Sequence, residues 1–268
     1  RPIDLLIMSY KLLTIASDDG IASLSFNRPE SGNALSVELM QEIIAACNSY
    51  KYDTDTRVIV FRGEGAHFSV GADLKDPVRQ QQIDEKDLNQ SYRRTQLGRE
   101  LIESVLNINQ ITIAAVHGAA AGGAACIVSA CDFRIGSADC IIGYPEVKLG
   151  MNLSWGALPL CYNLVGPAKA KRMVIGGELE LAGDLLNWGF LDEVVERELL
   201  EERVGELAKY YATRPPIAAQ MIKRGLNAIQ LANSAGVMHA DGDQFTLTAL
   251  TEDFKKQRQA FLTKKKEK

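Results

Sequence analysis

Two short segments about fifty residues apart hold residue types suited to one kind of chemistry. The first is His67-Phe68-Ser69-Val70-Gly71-Ala72-Asp73-Leu74-Lys75, and the second is His117-Gly118-Ala119-Ala120-Ala121-Gly122-Gly123-Ala124-Ala125-Cys126. Small side chains let a backbone approach a ligand closely. Each segment predicts a turn at which a helix begins, where the first N–H groups lack an intrahelical acceptor. Two such groups converging on one carbonyl oxygen would form an oxyanion hole. Cys126 falls about one turn into the second helix, where the dipole favours a thiolate and nucleophilic catalysis. No histidine adjoins it, and cysteine is among the most buried residue types. Inert packing is therefore the expectation for Cys126, and a structural role for His117, which follows an apolar strand.

The elements that must position these segments read as alternating strands and helices. Ile21–Phe26 alternates as a half-buried strand does, with Lys11–Ile15 as its partner across a turn at Asp18-Asp19-Gly20. Ser36 predicts the N-cap of a helix carrying Leu39, Ile43, Ala46, Cys47 and Tyr50. Val58–Phe61 and Thr112–Val116 are continuous apolar runs, as strands buried on both faces are. Residues 76–90 read as a polar loop, followed by an amphipathic helix through Leu97, Leu101, Val105 and Ile108. Short strands are expected at Phe133–Ile135, Cys140–Ile142 and Asp192–Val195. Helices are expected at Arg197–Thr213 and Pro216–Leu231, with Met173, Ile175 and Trp188 in the core. The organisation is a β/α core over residues 8–195, then a helical C-terminal region over 196–268.

Composition narrows the function classes. The chain has 268 residues, 46% of them hydrophobic and 24% charged, with a net charge of −4. That balance gives no electrostatic case for nucleic acid. Lys264-Lys265-Lys266 reads as a solvated tail. The five cysteines are irregularly spaced, with no CxxC pair, so neither a metal site nor a disulfide framework is indicated. This fits a reducing, cytoplasmic setting. No apolar run is long enough to span a membrane. Met8 suits a natural start, with residues 1–7 as an upstream extension.

Four ordered motifs carry a resemblance: Arg28-Pro29-Glu30 with Asn33-Ala34-Leu35, Gly71–Lys75, Gly122-Gly123, and Tyr144-Pro145-Glu146-Val147-Lys148-Leu149-Gly150. Together they resemble the crotonase superfamily of enoyl-CoA hydratases and isomerases, from about Lys11 to about Leu262. The resemblance implies an α/β fold, a crotonase-like spiral of ββα units with a helical C-terminal region, assembled as a homo-trimer or hexamer. It implies an acyl-CoA substrate of the kind met in fatty acid metabolism, with no separate cofactor and no metal. It puts the oxyanion-hole N–H groups on Ala72 and Gly123, and the acid/base role on Glu146. Burial among apolar neighbours would raise the pKa of that carboxyl toward the working pH. It implies CoA contacts from Arg28, Ala34, Ala72, Asp73, Leu74, Lys75 and Gly123, and from Phe261 and Lys264, which match residues that reach a neighbouring subunit's CoA in relatives.

Cys126 departs from the pattern, because two-glutamate hydratases carry a glutamate there. A thiol does not replace that carboxylate's proton handling. An enoyl-CoA isomerase needs one base, so isomerisation through Glu146 is the first expectation. An enoyl-CoA hydratase is the alternative, and a catalytically weakened CoA-binding module is the alternative of another class. The acyl pocket is expected around Cys126, Met151 and Trp155, with Asn152 and Ser154 near a polar group or water. Glu103 and Asp243 are further carboxylates whose distance from the thioester depends on folding.

Overall fold

The computed structural model describes residues 10–83 and 87–263. Its strands are β1 (Leu13–Asp18), β2 (Ile21–Phe26), β3 (Val58–Gly63), β4 (Ile111–Val116), β5 (Ala119–Ala121), β6 (Phe133–Ser137), β7 (Ile141–Gly143), β8 (Leu179–Leu181) and β9 (Glu193–Val195). Its helices are α1 (Val37–Ser49), α2 (Pro77–Ile83), α3 (Leu88–Leu106), α4 (Gly123–Ala130), α5 (Ala157–Gly176), α6 (Ala182–Asn187), α7 (Leu200–Ala212), α8 (Pro216–Leu231), α9 (Ala235–Ala249) and α10 (Glu252–Thr263). A six-stranded sheet runs in the order β1-β2-β3-β4-β6-β9, and a three-stranded sheet in the order β5-β7-β8. Within the larger sheet β1 and β2 are antiparallel, and the remaining pairs are parallel.

The apolar runs of β3 and β4 are explained by burial on both faces. Ile59, Phe61, Ala114 and Val116 enter the large core with residues of α1, α3 and α4. Their neighbours Val58, Val60, Ile113 and Ala115 point the other way, onto Leu200, Val204 and Ala208 of α7. This alternation with a period of two is what a strand between two layers requires. Ser36 caps α1 by accepting the Leu39 N–H (3.2 Å).

Helix α8 is fastened to the sheet by polar contacts. Its Lys223 is buried and donates to the Gln110 carbonyl (2.8 Å), while its ammonium lies 2.7 Å from the Asp132 carboxylate. Asp132 also accepts from the Thr112 N–H and hydroxyl, so it serves structure, as its place before β6 suggests.

Three expectations need correction. Residues 76–90 are not all loop. Asp76 accepts the Val78 N–H (2.9 Å) and starts α2, and Asp87 caps α3 by accepting the Asn89 and Gln90 N–H groups. Capping substitutes here for the apolar stripe whose absence suggested a loop. Ile175 is exposed, because Gly166 breaks α5 (φ 74°) and changes the phase of its second half. Finally, no helix starts at Ala72. That residue forms a lone parallel bridge with Leu35, and the next helix begins at Pro77.

Candidate active site

The two glycine-rich segments leave the C-terminal ends of the neighbouring parallel strands β3 and β4. That edge of an α/β sheet is where ligands commonly bind. The segments are laced together as they emerge. Phe68 N–H donates to His117 O (2.9 Å), Ser69 N–H to Ala119 O (3.0 Å), and Ala121 N–H to Ser69 O (3.1 Å). Ser69 and Ala120 thereby form a parallel bridge, and Ala72 and Gly123 each lie three residues beyond one of its members.

Both expected donors stand free. Leu35 N–H donates to Gly71 O and Asp73 N–H donates to Leu35 O, so the Ala72 N–H between them points away from Leu35. Gly123 is the first residue of α4, where an N–H has no intrahelical partner. Among the described residues neither N–H has an acceptor. The histidines nearby bond to the backbone of these loops. His67 Nδ1 accepts the Ala119 N–H (3.1 Å), and His117 donates from Nε2 to Gly65 O (3.1 Å).

Glu146 comes to the same place by another route. Strand β7 pairs with β5, and Gly122 N–H donates to Gly143 O (2.8 Å). Three residues later a single 3-10 turn, Pro145–Leu149, turns the Glu146 carboxylate back over Gly122. A β-carbon at Gly122 would lie 2.8 Å from Glu146 Oε1, and the φ of +56° there also favours glycine. Glu146 Oε2 is buried with no hydrogen-bond partner among the described residues, and burial raises the carboxyl pKa from 4.5 to about 7. The nearest sequence cation, Lys148, pairs instead with Glu178 (2.6 Å).

Cys126 is fully buried in the large core. Burial raises its thiol pKa well above the usual value, and the Glu146 carboxylate adds to the effect. Such burial disfavours the thiolate that a nucleophile would need. The acyl end of the expected pocket holds a bulkier surprise. Trp155 has a φ of +64°, rare for a large side chain, and its indole lies between Gly98 of α3 and Gly123. A β-carbon at either glycine would come well under 3.0 Å from the ring. Next to it, Gly156 N–H donates to Asp241 Oδ2 of α9 (2.7 Å). Asp241 is buried, its Oδ1 has no partner among the described residues, and burial raises its pKa against the pull of the Gly156 N–H and of Arg99. Met151 is half-buried and donates its N–H to Glu146 O (3.1 Å). Asn152 faces Gln244 (3.4 Å).

Sequence reasoning missed Gly98 and Asp241. The signal for Asp241 was a carboxylate one helical turn after Met238, the other buried residue of α9. The carboxylates named beforehand lie elsewhere, for Glu103 pairs with Arg99 on the surface of α3 and Asp243 is exposed.

The expected CoA residues divide. Ala34 is buried beside the Leu35–Ala72 bridge, Leu74 is half-buried, and Lys75 is exposed. Arg28 is not a free cation for a phosphate. Its guanidinium holds Asp73 Oδ2 (3.0 Å) and the Ala34 carbonyl, clamping the two loops together. Phe261 is partly exposed on α10, and Lys264 lies outside the described residues. Helix α10 packs on this chain's own Glu146 turn, with the backbone of Phe254 against Gly150, which has no side chain to keep it away.

The enoyl-CoA hydratase/isomerase family model matches residues 16–268. A probable enoyl-CoA hydratase of Rhizobium meliloti is 33% identical over 97% of this chain and 98% of its own length. A crotonyl-CoA hydratase of Syntrophomonas wolfei subsp. wolfei is 27% identical over the same shares, 97% and 98%. The crystal structure of an enoyl-CoA hydratase from Mycobacterium avium subsp. paratuberculosis K-10 superposes with a TM-score of 0.85, at 24% identity, over 94% of this chain and 100% of that one. Two sheets, a helical C-terminal region and a match over nearly the full length agree: the chain belongs to the enoyl-CoA hydratase/isomerase family, the crotonases.

Proposed function

We propose that this enzyme acts on an enoyl-CoA thioester, with Glu146 as the proton-transfer group and the Ala72 and Gly123 N–H groups holding the enolate oxygen. The observation that carries the reading is the Glu146 carboxyl itself, its Oε2 buried without a hydrogen-bond partner among the described residues and its pKa raised to about 7, beside two free N–H donors. A group titrating near neutrality serves equally well to take and to return a proton. Each donor is worth about 3–4 kcal/mol toward an oxyanion in a site that excludes water.

Two reactions fit this group. In isomerisation, Glu146 takes a proton from C2 of a 3-enoyl thioester, and the electron pair moves into the thioester oxygen. The proton returns to C4, and the double bond ends between C2 and C3. One carboxylate suffices, which suits the thiol at Cys126. In hydration of a 2-enoyl thioester, water oxygen adds to C3 and a proton adds to C2. The hydratase relatives favour this second reading, and on their weight it is the stronger of the two. Turnover of each substrate in ¹⁸O-water separates them: a labelled 3-hydroxyacyl product means hydration, an unlabelled 2-enoyl product from the 3-enoyl substrate means isomerisation. CoA binding with neither product would instead indicate a binding module.

The expected homo-trimer or hexamer draws support from α8. Ile217, Met221, Ile222, Leu226 and Ile229 leave its outer side apolar and exposed. Light scattering on the purified chain tests it, and a monomer at all concentrations would overturn it. No helix among the described residues is long and apolar enough to cross a membrane.

A further inference from the structure

We infer that Trp155 closes the acyl end of the pocket and restricts the enzyme to short acyl groups, with Asp241 as the residue that holds it there. The inference rests on the reading of Ala72, Gly123 and Glu146 as a thioester site.

The indole occupies the space between α3 and the start of α4. Its five-membered ring covers Gly98, and its six-membered ring covers Gly123, the same residue whose N–H is offered to the thioester oxygen. An acyl chain attached to a carbonyl at Gly123 therefore meets an aromatic wall close to its point of attachment. The gap admits the ring only because neither glycine has a side chain. The wall belongs to a corner of unusual backbone: Trp155 (φ +64°) and Gly156 (φ +70°) are both left-handed. A large residue adopts that conformation only where its surroundings impose it.

Asp241 supplies the constraint. Its carboxylate accepts the Gly156 N–H at 2.7 Å, one residue from the indole and at the N-terminus of α5, where the helix dipole favours negative charge. The side chain is buried, and Met238, one turn earlier on α9, sits against Gly156. The groups around Asp241 are therefore the Gly156 N–H, Met238 and Arg99, whose guanidinium also reaches the Met238 carbonyl (3.5 Å). Asp241 acts through Trp155 and is a positioning residue, while Trp155 determines specificity.

The test measures kcat/KM for enoyl-CoA substrates of increasing chain length in the wild type and in Trp155→Ala, Trp155→Leu, Asp241→Ala and Asp241→Asn. The wild type should favour the shortest chain over a long one by roughly a hundredfold, as a few misplaced methylenes imply. Trp155→Ala should raise the long-to-short ratio at least roughly tenfold, and Trp155→Leu, which keeps apolar packing should the alanine variant not fold, should raise it less. Asp241→Ala should broaden the profile as Trp155→Ala does. Asp241→Asn retains an acceptor for Gly156 N–H and should keep the wild-type ratio. A purely structural role for Asp241 would lower every rate alike and leave the ratio unmoved. If the ratio is the same in the wild type and in both Trp155 variants, the inference is overturned while the thioester reading stands. If no variant and no chain length gives turnover, the thioester reading fails first.

Discussion

Glu146→Gln should make the protein more stable at alkaline pH while removing its turnover. The Glu146 carboxyl is held neutral by burial, its pKa raised from 4.5 to about 7. The folded state therefore binds this proton more tightly than the unfolded chain does. The stabilisation that follows is present in full below the unfolded value and is lost as pH climbs through about 7. At about 1.4 kcal/mol per unit the whole loss is ~3 kcal/mol, with ~2.5 kcal/mol of it falling between pH 5 and pH 8. This is an upper figure, because the residue keeps some contact with solvent. A glutamine has the shape of the neutral acid and loses nothing over that range. For a domain of this size the Tm difference between variant and wild type should widen by about 5–10 °C from pH 5 to pH 8. Thermal denaturation of both proteins, at one protein concentration so that association does not intrude, reads it directly. A gap of the same size at both pH values would refute the reasoning, since the carboxylate would then carry no desolvation burden. Activity supplies the companion measurement, where the variant should lose at least about a hundredfold in kcat.

Other outcomes follow from the same geometry. Proton abstraction requires the ionised carboxylate, so kcat/KM with a 3-enoyl substrate should rise with pH through about 7, and a flat profile would exclude Glu146 as the base. Gly122→Ala places a β-carbon against Glu146 Oε1 on a backbone of positive φ, and should cost at least about tenfold in kcat with the fold retained, as circular dichroism would report. Cys126 should resist thiol reagents in the native protein and react once unfolded, and Cys126→Ala should change turnover by less than about threefold. Lys223→Ala leaves the Asp132 carboxylate without its cation and should destabilise by about 3 kcal/mol, whereas Lys223→Ala with Asp132→Asn should cost less than the sum of the single changes.

The parts of this protein legible in its sequence are those that depend on local pattern. The two-faced burial of β3 and β4 writes itself as unbroken apolar runs, and Ser36 marks the start of α1 because capping is a matter of three residues. The order of the four motifs carried the family. What stayed hidden depends on contacts between distant residues. Helix α2 has no apolar stripe to reveal it, and its start is set by the carboxylate of Asp76, whose other oxygen accepts the Val37 N–H (2.6 Å). Arg28 was expected only as a CoA contact, and its partner Asp73 lies forty-five residues on. Trp155 was legible as a bulky residue near the acyl end, but its left-handed backbone, its two glycine neighbours and its tie to Asp241 are properties of three converging helices.

The bridge between Ser69 and Ala120 bears on how the enzyme can vary. Both expected donors sit at equal chain distance from a pair of residues locked in sheet register, and sheet register has one spacing, about 4.8 Å between strands. The span from which both expected donors start is then set by backbone pairing rather than by side-chain choice. Substitutions in the surrounding helices, such as those that put the indole of Trp155 against Gly123 and the thiol of Cys126 in the core, leave that pairing untouched. In the proposed site the part that must be preorganised is held by backbone, and the part that selects a substrate is left to side chains free to diverge.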